Sequence, residues 1–323
     1  MTRLVAPVGA PGAQILGLGG YRPARVVTND EISQLVDTSD TWIRERTGIV
    51  TRRIAAPDES VADMATAAAA KALAAAGRHG DEIDLVLLAT CSEVDRLPGV
   101  AATVASRLGA RAPGAIDVNA ACAGFCYALA MASDAVRTGN AEFVLVVGVE
   151  KLSDFVDWTD RGTCIIFADG AGAAVVGPAA EPGIGPVTWG SDGERGDLIT
   201  SRRTESFLLR MDGPAVFRWA TTQLAPVARA ACARAGLDPA DLRALVAHQA
   251  NVRIIDSLVR ALALPDTAVI SRDIVEAGNT SAASIPLALS RLVEAGSVRS
   301  GDPALLLGFG SGLTYAGQVV LCP

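Results

Sequence analysis

The sequence predicts an α/β fold built from two similar halves. Alanine-rich helical stretches alternate with short apolar strands, and this order of elements recurs at a distance of about 160 residues. The unit at residues 72–90 returns at residues 231–249, and the unit at residues 122–148 returns at residues 281–310. Solenoid repeats are only about 20–50 residues long. The longer period therefore indicates two duplicated halves with mostly parallel sheets covered by helices.

Composition limits the classes of protein to which the chain can belong. It has 323 residues, half of them apolar, and a net charge of -7. The longest apolar runs, such as Phe143–Val149, have the length of a strand rather than of a membrane span. The start of the chain lacks the pattern of a signal peptide, and the acidity argues against nucleic acid as a partner. We therefore expect a soluble cytoplasmic protein that binds neither nucleic acid nor a membrane.

Each repeated unit has recognisable boundaries. We expect the helix of the first unit to end at Gly77 and its counterpart to end at Gly236, because glycine readily adopts the left-handed conformation that closes a helix. In duplicated α/β folds, ligands tend to bind where the halves meet, at strand ends and helix starts. The segments that hold Cys122, His248 and Asn279 all lie at such points.

Cys122 is the candidate nucleophile. It follows a strand pattern and opens a helix, where unpaired N–H groups and the helix dipole favour a thiolate and can stabilise an oxyanion. The alternative is that Cys122 is one more small buried apolar residue. We adopt that alternative for Cys91, Cys126, Cys164 and Cys232. With six scattered cysteines and two histidines, we expect neither a metal site nor a disulfide framework.

His248 and Asn279 are candidate partners of this cysteine. His248 ends an apolar strand, whereas His79 lies in a polar loop. Asn279 precedes a helix whose start corresponds to Cys122 in the repeat, although an ordinary helix N-cap is the alternative role. Cysteine, histidine and asparagine together are typical of acyl-transfer sites. Sequence alone leaves their mutual geometry open.

The glycine-rich segment near the C-terminus does not predict a dinucleotide site. Gly308, Gly310 and Gly312 are followed by a strand pattern, whereas a phosphate-binding glycine loop opens a helix. We therefore expect a strand, a turn and a strand, with the backbone free to approach the site closely. Phe167–Gly177 likewise leads into a strand.

Five segments resemble the β-ketoacyl-acyl-carrier-protein synthase III family of the thiolase superfamily, in family order. The resemblance implies a thiolase-like fold with α-β-α-β-α layers. It covers nearly the whole chain after about residue 13, so we divide the chain into a leader at residues 1–12, expected to be mobile, a nucleophile half at 13–178 and a His/Asn half at 179–323. The segments are Val36–Ile49, Asn119–Leu129, Asp160–Val176, His248–Asp256 and Gly278–Leu289.

The resemblance implies an acyltransferase that works without a resident cofactor. An acyl-CoA would acylate Cys122, and malonyl-acyl-carrier-protein would then lose carbon dioxide and attack the acyl group in a Claisen condensation. His248 and Asn279 would stabilise the enolate. The backbone N–H groups of Cys122 and Ser311 would form the oxyanion hole, and Phe309 would pack near the sulfur.

The resemblance also implies a binding channel and a homodimer. Arg253 would contact the carrier protein, and Leu97 would close the acyl pocket of a partner subunit. Pro214 and the shortened segment at residues 191–213 depart from the family pattern. Leu97 leaves room for acyl groups larger than acetyl. An ordinary structural role is the alternative for every channel residue. The residues implied for CoA binding are Trp42, Arg46, Arg161, Gly213, Phe217, Ala250 and Asn251.

Several functions share these active-site residues. Initiation of fatty acid synthesis and selection of a starter for an aromatic polyketide both need them, and we favour a specialised starter enzyme slightly. A further alternative is an acyltransferase that moves the acyl group from Cys122 to an alcohol or amine without condensation. The presence of both His248 and Asn279 argues against this alternative. Cys122 argues against a non-catalytic subunit, and the duplication argues against a cysteine hydrolase.

Overall fold

The structure of the protein is a computed structural model that describes residues 4, 7–95, 97–202 and 207–323. The helices are α1 Asn29–Ser33, α2 Asp40–Thr47, α3 Val61–Ala76, α4 Val100–Arg107, α5 Gly124–Thr138, α6 Gly213–Arg234, α7 Val252–Leu262, α8 Ile274–Ala277 and α9 Ser284–Glu294. The strands of the first half are β1 Gly12–Tyr21, β2 Arg25–Thr28, β3 Thr51–Ile54, β4 Leu85–Ala89, β5 Gly114–Val118, β6 Val144–Lys151 and β7 Asp169–Ala179. Those of the second half are β8 Thr188–Ser191, β9 Ile199–Ser201, β10 Leu209–Met211, β11 Ala244–Ala247, β12 Val269–Ile270, β13 Pro303–Gly310 and β14 Thr314–Leu321.

Within the described residues, two five-stranded sheets repeat one topology. The first has the order β1-β7-β6-β4-β5, and the second, read in the same direction, has the order β8-β14-β13-β11-β12. Each strand of one sheet thus has a counterpart in the other. The predicted duplicated α/β fold is confirmed.

The sheets are more mixed than the sequence predicts. β4 pairs in parallel with β5 and β6, but β7 runs antiparallel to both β1 and β6. The second sheet has the same arrangement, with β14 antiparallel to β13 and β8. Parallel neighbours need a long crossover connection, whereas β13 and β14 are joined by the turn Ser311–Leu313 alone. The chain therefore turns back beside the strand that it has just left.

Helices and sheets form the five expected layers. α5 and α9 lie between the sheets, where Phe125, Leu129 and Leu289 belong to one buried cluster. α3 and α4 cover the outer face of the first sheet with residues such as Met64, while α6 and α7 cover the second with residues such as Leu224. This arrangement confirms the α-β-α-β-α architecture.

The predicted glycine helix ends have the expected backbone. Gly77 follows α3 with φ 61°, and its N–H bonds to the last turn of that helix. Gly236 lies just after α6 with φ 74°. At the other end of α3, Ser60 and Asp63 form a reciprocal capping box that satisfies two N–H groups of the first turn.

The termini of the two halves can be followed along the chain. β7 ends at Ala179, and the second five-stranded sheet begins with β8. β1 begins at Gly12, just after Ala10 donates its N–H to Val136 O over 3.4 Å. Positions 1–3, 5 and 6 of the predicted leader lie outside the described residues, so its mobility stays a prediction.

Among the described residues, no helix combines the length and apolarity needed to cross a membrane.

Two glycines allow the starts of the central helices to contact the sheets. A Cβ on Gly148 of β6 would lie 2.4 Å from the carbonyl oxygen of Ala282, before α9. A Cβ on Gly308 of β13 would lie 2.9 Å from Cα of Ala123, before α5. These equivalent close approaches bring both helix starts to the centre of the molecule, where the candidate site lies.

We expect Gly148→Ala to destabilise the protein, because the new methyl group would overlap a backbone oxygen that cannot move aside. Overpacking of this kind costs about 1–3 kcal/mol. The measurement is the free energy of unfolding in denaturant. Gly193→Ala is the matched control, since a Cβ there meets nothing within 4 Å. Equal stability of the two variants would contradict this account of the contact.

Candidate active site

A cavity of about 790 Å³ lies where the two halves meet. Cys122, His248 and Asn279 all line it, so the structure brings together the three residues that the sequence singled out. Cys122 lies in a 3₁₀ turn between β5 and α5, and His248 follows β11 directly. Asn279 lies two residues before the 3₁₀ turn that leads into α9.

The same tight turn occurs at the start of both central helices. Asn119 Oδ1 accepts the N–H of Ala121 over 3.2 Å, and Asn279 Oδ1 accepts the N–H of Ser281 over 2.8 Å. Ala121 and Ser281 both have φ 46°, in the left-handed region that non-glycine residues rarely adopt. The turn therefore uses the side-chain oxygen Oδ1 of Asn279. The group that can face a ligand is its Nδ2 amide, which is a donor.

The segment before β7 holds the backbone of Asn279. Its N–H donates to Ile166 O over 2.9 Å, and its carbonyl accepts the N–H of Ala168 over 2.9 Å. Arg52 supports this segment from behind, because its buried guanidinium donates to Ile165 O over 2.8 Å. Sequence reasoning missed Arg52, since nothing in an exposed-looking Arg-Arg pair signals a buried side chain.

The hydrogen bonds around His248 indicate which ring nitrogen carries the proton. The ring is 2% exposed, and its Nδ1 lies 2.7 Å from Ser284 Oγ. Ser284 Oγ accepts the N–H of Gln249 over 3.3 Å, and His248 Nδ1 is the acceptor that the described contacts offer to its hydroxyl proton. The proton of the neutral ring then resides on Nε2. Burial lowers the pKa of His248 to about 3, which keeps the ring neutral, and Phe309 packs edge-on at 5.1 Å between ring centroids.

The thiol of Cys122 differs from the sequence expectation. Burial raises the pKa of Cys122 to about 12, and the charge of Glu150 acts in the same direction, while a hydrogen bond from Ser281 opposes the rise. Burial therefore opposes the thiolate that the helix start favours, and the charge state of Cys122 stays a prediction. Removal from water acts in this direction because it penalises the charged form of the thiol.

Gly310 provides the predicted close backbone approach to the sulfur. A Cβ on Gly310 would lie 2.8 Å from Cys122 Cβ and 3.0 Å from its Sγ. Ser311 follows in the turn, where its hydroxyl donates to Ile199 O over 2.7 Å. The expected oxyanion donors, the N–H groups of Cys122 and Ser311, thus belong to segments in contact, and their role stays a prediction.

The outer part of the cavity contains the residues expected to bind CoA. Arg161 and Arg46 lie over the ring of Trp42, at 4.8 and 5.6 Å from its centroid. Arg253 lies over the ring of Phe217 at 4.9 Å. All the residues expected to bind CoA therefore line the same channel as Cys122. Their role in binding stays a prediction. Gly213, Pro214, Ala250 and Asn251 line the same cavity.

Leu97 lies apart from this cavity. Its side chain is 88% exposed and does not line the channel of the single chain. The expectation that Leu97 closes the pocket of a partner subunit therefore stays a prediction. The shortened segment near the channel contributes Ile199 and Leu209 to the lining, and its positions 203–206 lie outside the described residues.

Sequence reasoning assigned one cysteine wrongly. Cys91 is exposed and lines the cavity, because it follows the end of β4 at the same sheet edge as the nucleophile. The expectation that Cys91 is buried is wrong, whereas Cys126, Cys164 and Cys232 are buried as expected.

Glu150 was missed altogether. It belongs to β6, is fully buried and lies close to Cys91 and Ser281. The only signal in the sequence is an acidic residue that closes an apolar strand. In the described part of the chain, no group of three His, Cys, Asp or Glu residues is arranged to hold a metal ion.

We expect Ser284→Ala to remove the preference of the neutral His248 ring for a proton on Nε2. In the unaltered protein, ¹⁵N NMR of histidine-labelled protein should show one neutral ring protonated on Nε2, and the variant should show a mixture or the other tautomer. His79→Gln assigns the signals, because the chain has only two histidines. A ring protonated on Nδ1 in the unaltered protein would contradict the hydrogen-bond argument.

Comparison with known proteins gives the family. Residues 116–193 match the family model described as 3-Oxoacyl-[acyl-carrier-protein (ACP)] synthase III, and residues 232–322 match its C-terminal counterpart. A beta-ketoacyl-[acyl-carrier-protein] synthase III of Streptomyces coelicolor is 56% identical over 315 residues, covering 97% of this chain and 99% of that protein.

Solved structures agree with the sequence relatives. The priming β-ketosynthase of a polyketide biosynthetic pathway has a TM-score of 0.97 and 47% identity, covering 100% of this chain and 99% of that one. The 3-oxoacyl-[acyl-carrier-protein] synthase III of Aquifex aeolicus has a TM-score of 0.92 and 40% identity, covering 96% and 100%. Two matched halves, this degree of identity and nearly complete coverage place the chain in the 3-oxoacyl-[acyl-carrier-protein] synthase III family.

Proposed function

We propose that the protein is a condensing enzyme that joins an acyl group from acyl-CoA to malonyl-acyl-carrier-protein and releases a 3-oxoacyl-carrier-protein. One observation carries this proposal. Cys122, the neutral ring of His248 and the amide of Asn279 line a single channel, which also contains the Trp42 ring with two guanidinium groups near it. As a member of its family, the protein is an enzyme of the acyltransferase class.

In the first half-reaction, Cys122 takes the acyl group and CoA leaves. Trp42 offers a flat face for the adenine, and the guanidinium groups of Arg46 and Arg161 suit the phosphates of the nucleotide. The backbone N–H groups of Cys122 and Ser311 receive the oxyanion of the tetrahedral intermediate. Gly213, Phe217, Ala250 and Asn251 line the path for the pantetheine arm.

In the second half-reaction, two neutral donors stabilise the enolate. His248 Nε2–H and the Nδ2 amide of Asn279 bond to the malonyl thioester carbonyl as carbon dioxide leaves. The resulting carbanion attacks the acyl group on Cys122. Preoriented donors in a dry site are effective because they need no reorganisation when the charge develops. The low pKa of His248 favours this donor role, since a group that stays neutral does not compete for the proton of the thiol.

The substrates supply the reacting groups, so we propose that the enzyme needs no resident cofactor. Arg253 is an exposed residue that lines the cavity and lies over the ring of Phe217, so its cation can meet an acidic carrier protein. We place the enzyme in the cytoplasm, where acyl-CoA and carrier proteins occur. Transfer to an alcohol or amine is not favoured, because it would leave the His–Asn pair without a task.

We further propose a starter group larger than acetyl. Leu97 is less bulky than the phenylalanine of the well-known family members. The shortened segment at residues 191–213 and Pro214 border the same space. The likeness to a priming β-ketosynthase of a polyketide pathway supports a specialised starter over ordinary fatty acid initiation.

The edge of the first sheet supports a homodimer. β5 pairs with β4 on one side, and the residues of β5 are largely exposed in the single chain, including Ile116 at 47%. Leu97 and Val94 are exposed apolar side chains in the segment that follows β4. An exposed edge strand with apolar side chains is a surface that pairs with another chain. Pairing of β5 with its copy would bring Leu97 near the acyl pocket of the partner.

Three substitutions separate the half-reactions. We expect Cys122→Ala to abolish the mass gain that a panel of acyl-CoAs (acetyl, propionyl, isobutyryl, hexanoyl and long-chain) gives in intact-mass analysis. His248→Ala and Asn279→Ala should still become acylated, but each should lose about 100-fold or more in condensation, because each removes an oxyanion donor. Absence of an adduct with every acyl-CoA, from folded unaltered protein, would contradict the proposed function.

We expect Leu97→Phe to shift acyl preference towards shorter chains through a partner subunit. Leu97 does not line the channel of its own chain, so we expect a changed preference to act through a neighbouring copy. The measurement is acyl-CoA selectivity, together with the molecular mass in solution, which should be twice the chain mass of 33.1 kDa. Leu35→Phe is the matched control, because Leu35 is an exposed leucine that does not line the cavity. A monomer, or unchanged selectivity in a dimer, would contradict the role of Leu97.

A further inference from the structure

The two donors proposed for the enolate lie on separate segments of the second half. His248 directly follows β11, whereas Asn279 lies two residues after α8. One carbonyl oxygen can accept from both donors only if the two segments keep a fixed spacing, because hydrogen bonds weaken steeply when their geometry is poor. The contacts between these segments therefore determine how well the pair can work.

Gln249, the residue after His248, is buried away from the cavity. Only 1% of its surface is exposed. His248 and Ala250 line the cavity, but Gln249 between them does not. A buried amide finds its hydrogen-bond partners within the protein. The Gln249 side chain therefore acts on the protein and not on the substrate.

The side chain of Gln249 bridges two elements through their backbone groups. Its Nε2 donates to Ala247 O over 2.6 Å and more weakly to Ser271 O over 3.5 Å. Its Oε1 accepts the N–H of Ile274 over 3.1 Å. The amide thus connects the last residue of β11 with the first residue of α8. An apolar side chain of similar size would leave these backbone groups without their partner.

The single turn of α8 extends this contact to Asn279. Ile274, its first residue, donates to Gln249 and accepts at its carbonyl the N–H of Gly278 over 3.0 Å. Gly278 has φ 71°, and a Cβ on it would lie 2.8 Å from Cβ of Ala168, so the chain has little room for another course. Asn279 follows directly. Its position therefore depends on where α8 begins.

The backbone of Gln249 contacts the chain on the other side of Asn279. Its N–H donates to Ser284 Oγ over 3.3 Å, and the same oxygen lies 2.7 Å from Nδ1 of His248. Ile274 lies five residues before Asn279, and Ser284 lies five residues after it. One residue, covalently joined to His248, thus contacts the segment of Asn279 on both sides.

We propose that Gln249 is a positioning residue for decarboxylation and condensation. Its bonds to Ile274 and Ser284 hold the segment of Asn279 on both sides. The amide of Asn279 thereby keeps the spacing from the His248 ring that lets both donors reach one carbonyl oxygen. Gln249 touches neither the substrate nor the reacting atoms. The inference rests on the proposed function, in which this pair stabilises the enolate after the nucleophile has been acylated.

The test compares the two half-reactions in Gln249→Leu, which has a similar size but neither donor nor acceptor. We expect acylation of Cys122, followed by intact mass, to keep its rate, because that step does not use the His–Asn pair. The kcat of condensation with malonyl-acyl-carrier-protein should fall about 100-fold, the loss that a misplacement of about 1 Å can cause. Its KM should change little, because Gln249 lies outside the channel.

Two further variants accompany this test. Gln249→Met should show the same separation of the half-reactions, and its flexible unbranched side chain fits the space left by glutamine with the least disturbance. Gln318→Leu is the matched control, because Gln318 is also buried and its amide donates to a backbone oxygen, that of Cys126, over 3.2 Å. We expect the control to affect acylation and condensation equally.

A second readout does not depend on activity. Hydrogen exchange of the peptide at residues 271–279 should be faster in Gln249→Leu than in the unaltered protein, because the N–H of Ile274 loses its acceptor. The peptide around Cys122 should keep its exchange rate. Failure of the unaltered protein to acylate would contradict the proposed function, while the exchange rates would still decide whether Gln249 holds α8.

Three outcomes would overturn the positioning role. Both variants of Gln249 could condense as fast as the unaltered protein. Acylation and condensation could fall by the same factor in both variants, or both could fail to fold, which would show a general structural role. Exchange at residues 271–279 could stay unchanged, which would show that α8 does not depend on Gln249.

Discussion

The contact between the starts of α5 and α9 is the interaction on which the rest of the site depends. Each helix begins with a 3₁₀ turn at φ 46°, closed by an asparagine side chain, and each approaches a glycine of a central strand. Since close-packed interiors tolerate little added volume, these approaches determine where Cys122 lies relative to Asn279. His248 joins them from the end of β11, held by Ser284 of α9.

The burial that assembles the site also determines its protonation. Removal from water raises the pKa of Cys122 and lowers that of His248, which favours the neutral form of both groups. Neutral donors suit an enolate that forms only during the reaction, but a neutral thiol needs a base before it can attack. The Glu150 carboxyl group is buried near this site, where hydroxyl and N–H groups donate hydrogen bonds to it.

Much of the fold and part of the site could be predicted. Helix ends at Gly77 and Gly236, the strand–turn–strand after Gly308 and the place of Cys122 before α5 follow from local backbone preferences and from a repeated pattern. The antiparallel course of β7 could not be read, because strand direction depends on the path of the connection rather than on the strand itself. Cys91 was misjudged for a similar reason, since its exposure depends on which strand ends meet.

By itself, the sequence determined the duplicated α/β fold, the family and the three residues at the centre of the site, because periodicity and motifs are properties of neighbouring positions. Only the tertiary structure decided the burial that raises the pKa of Cys122, the hydrogen bond of His248 with Ser284 and the place of Glu150 beside Ser281. These depend on desolvation and on hydrogen bonds between residues more than thirty positions apart, as in His248 with Ser284 and Glu150 with Ser281. Such contacts exist only after the two halves have packed together.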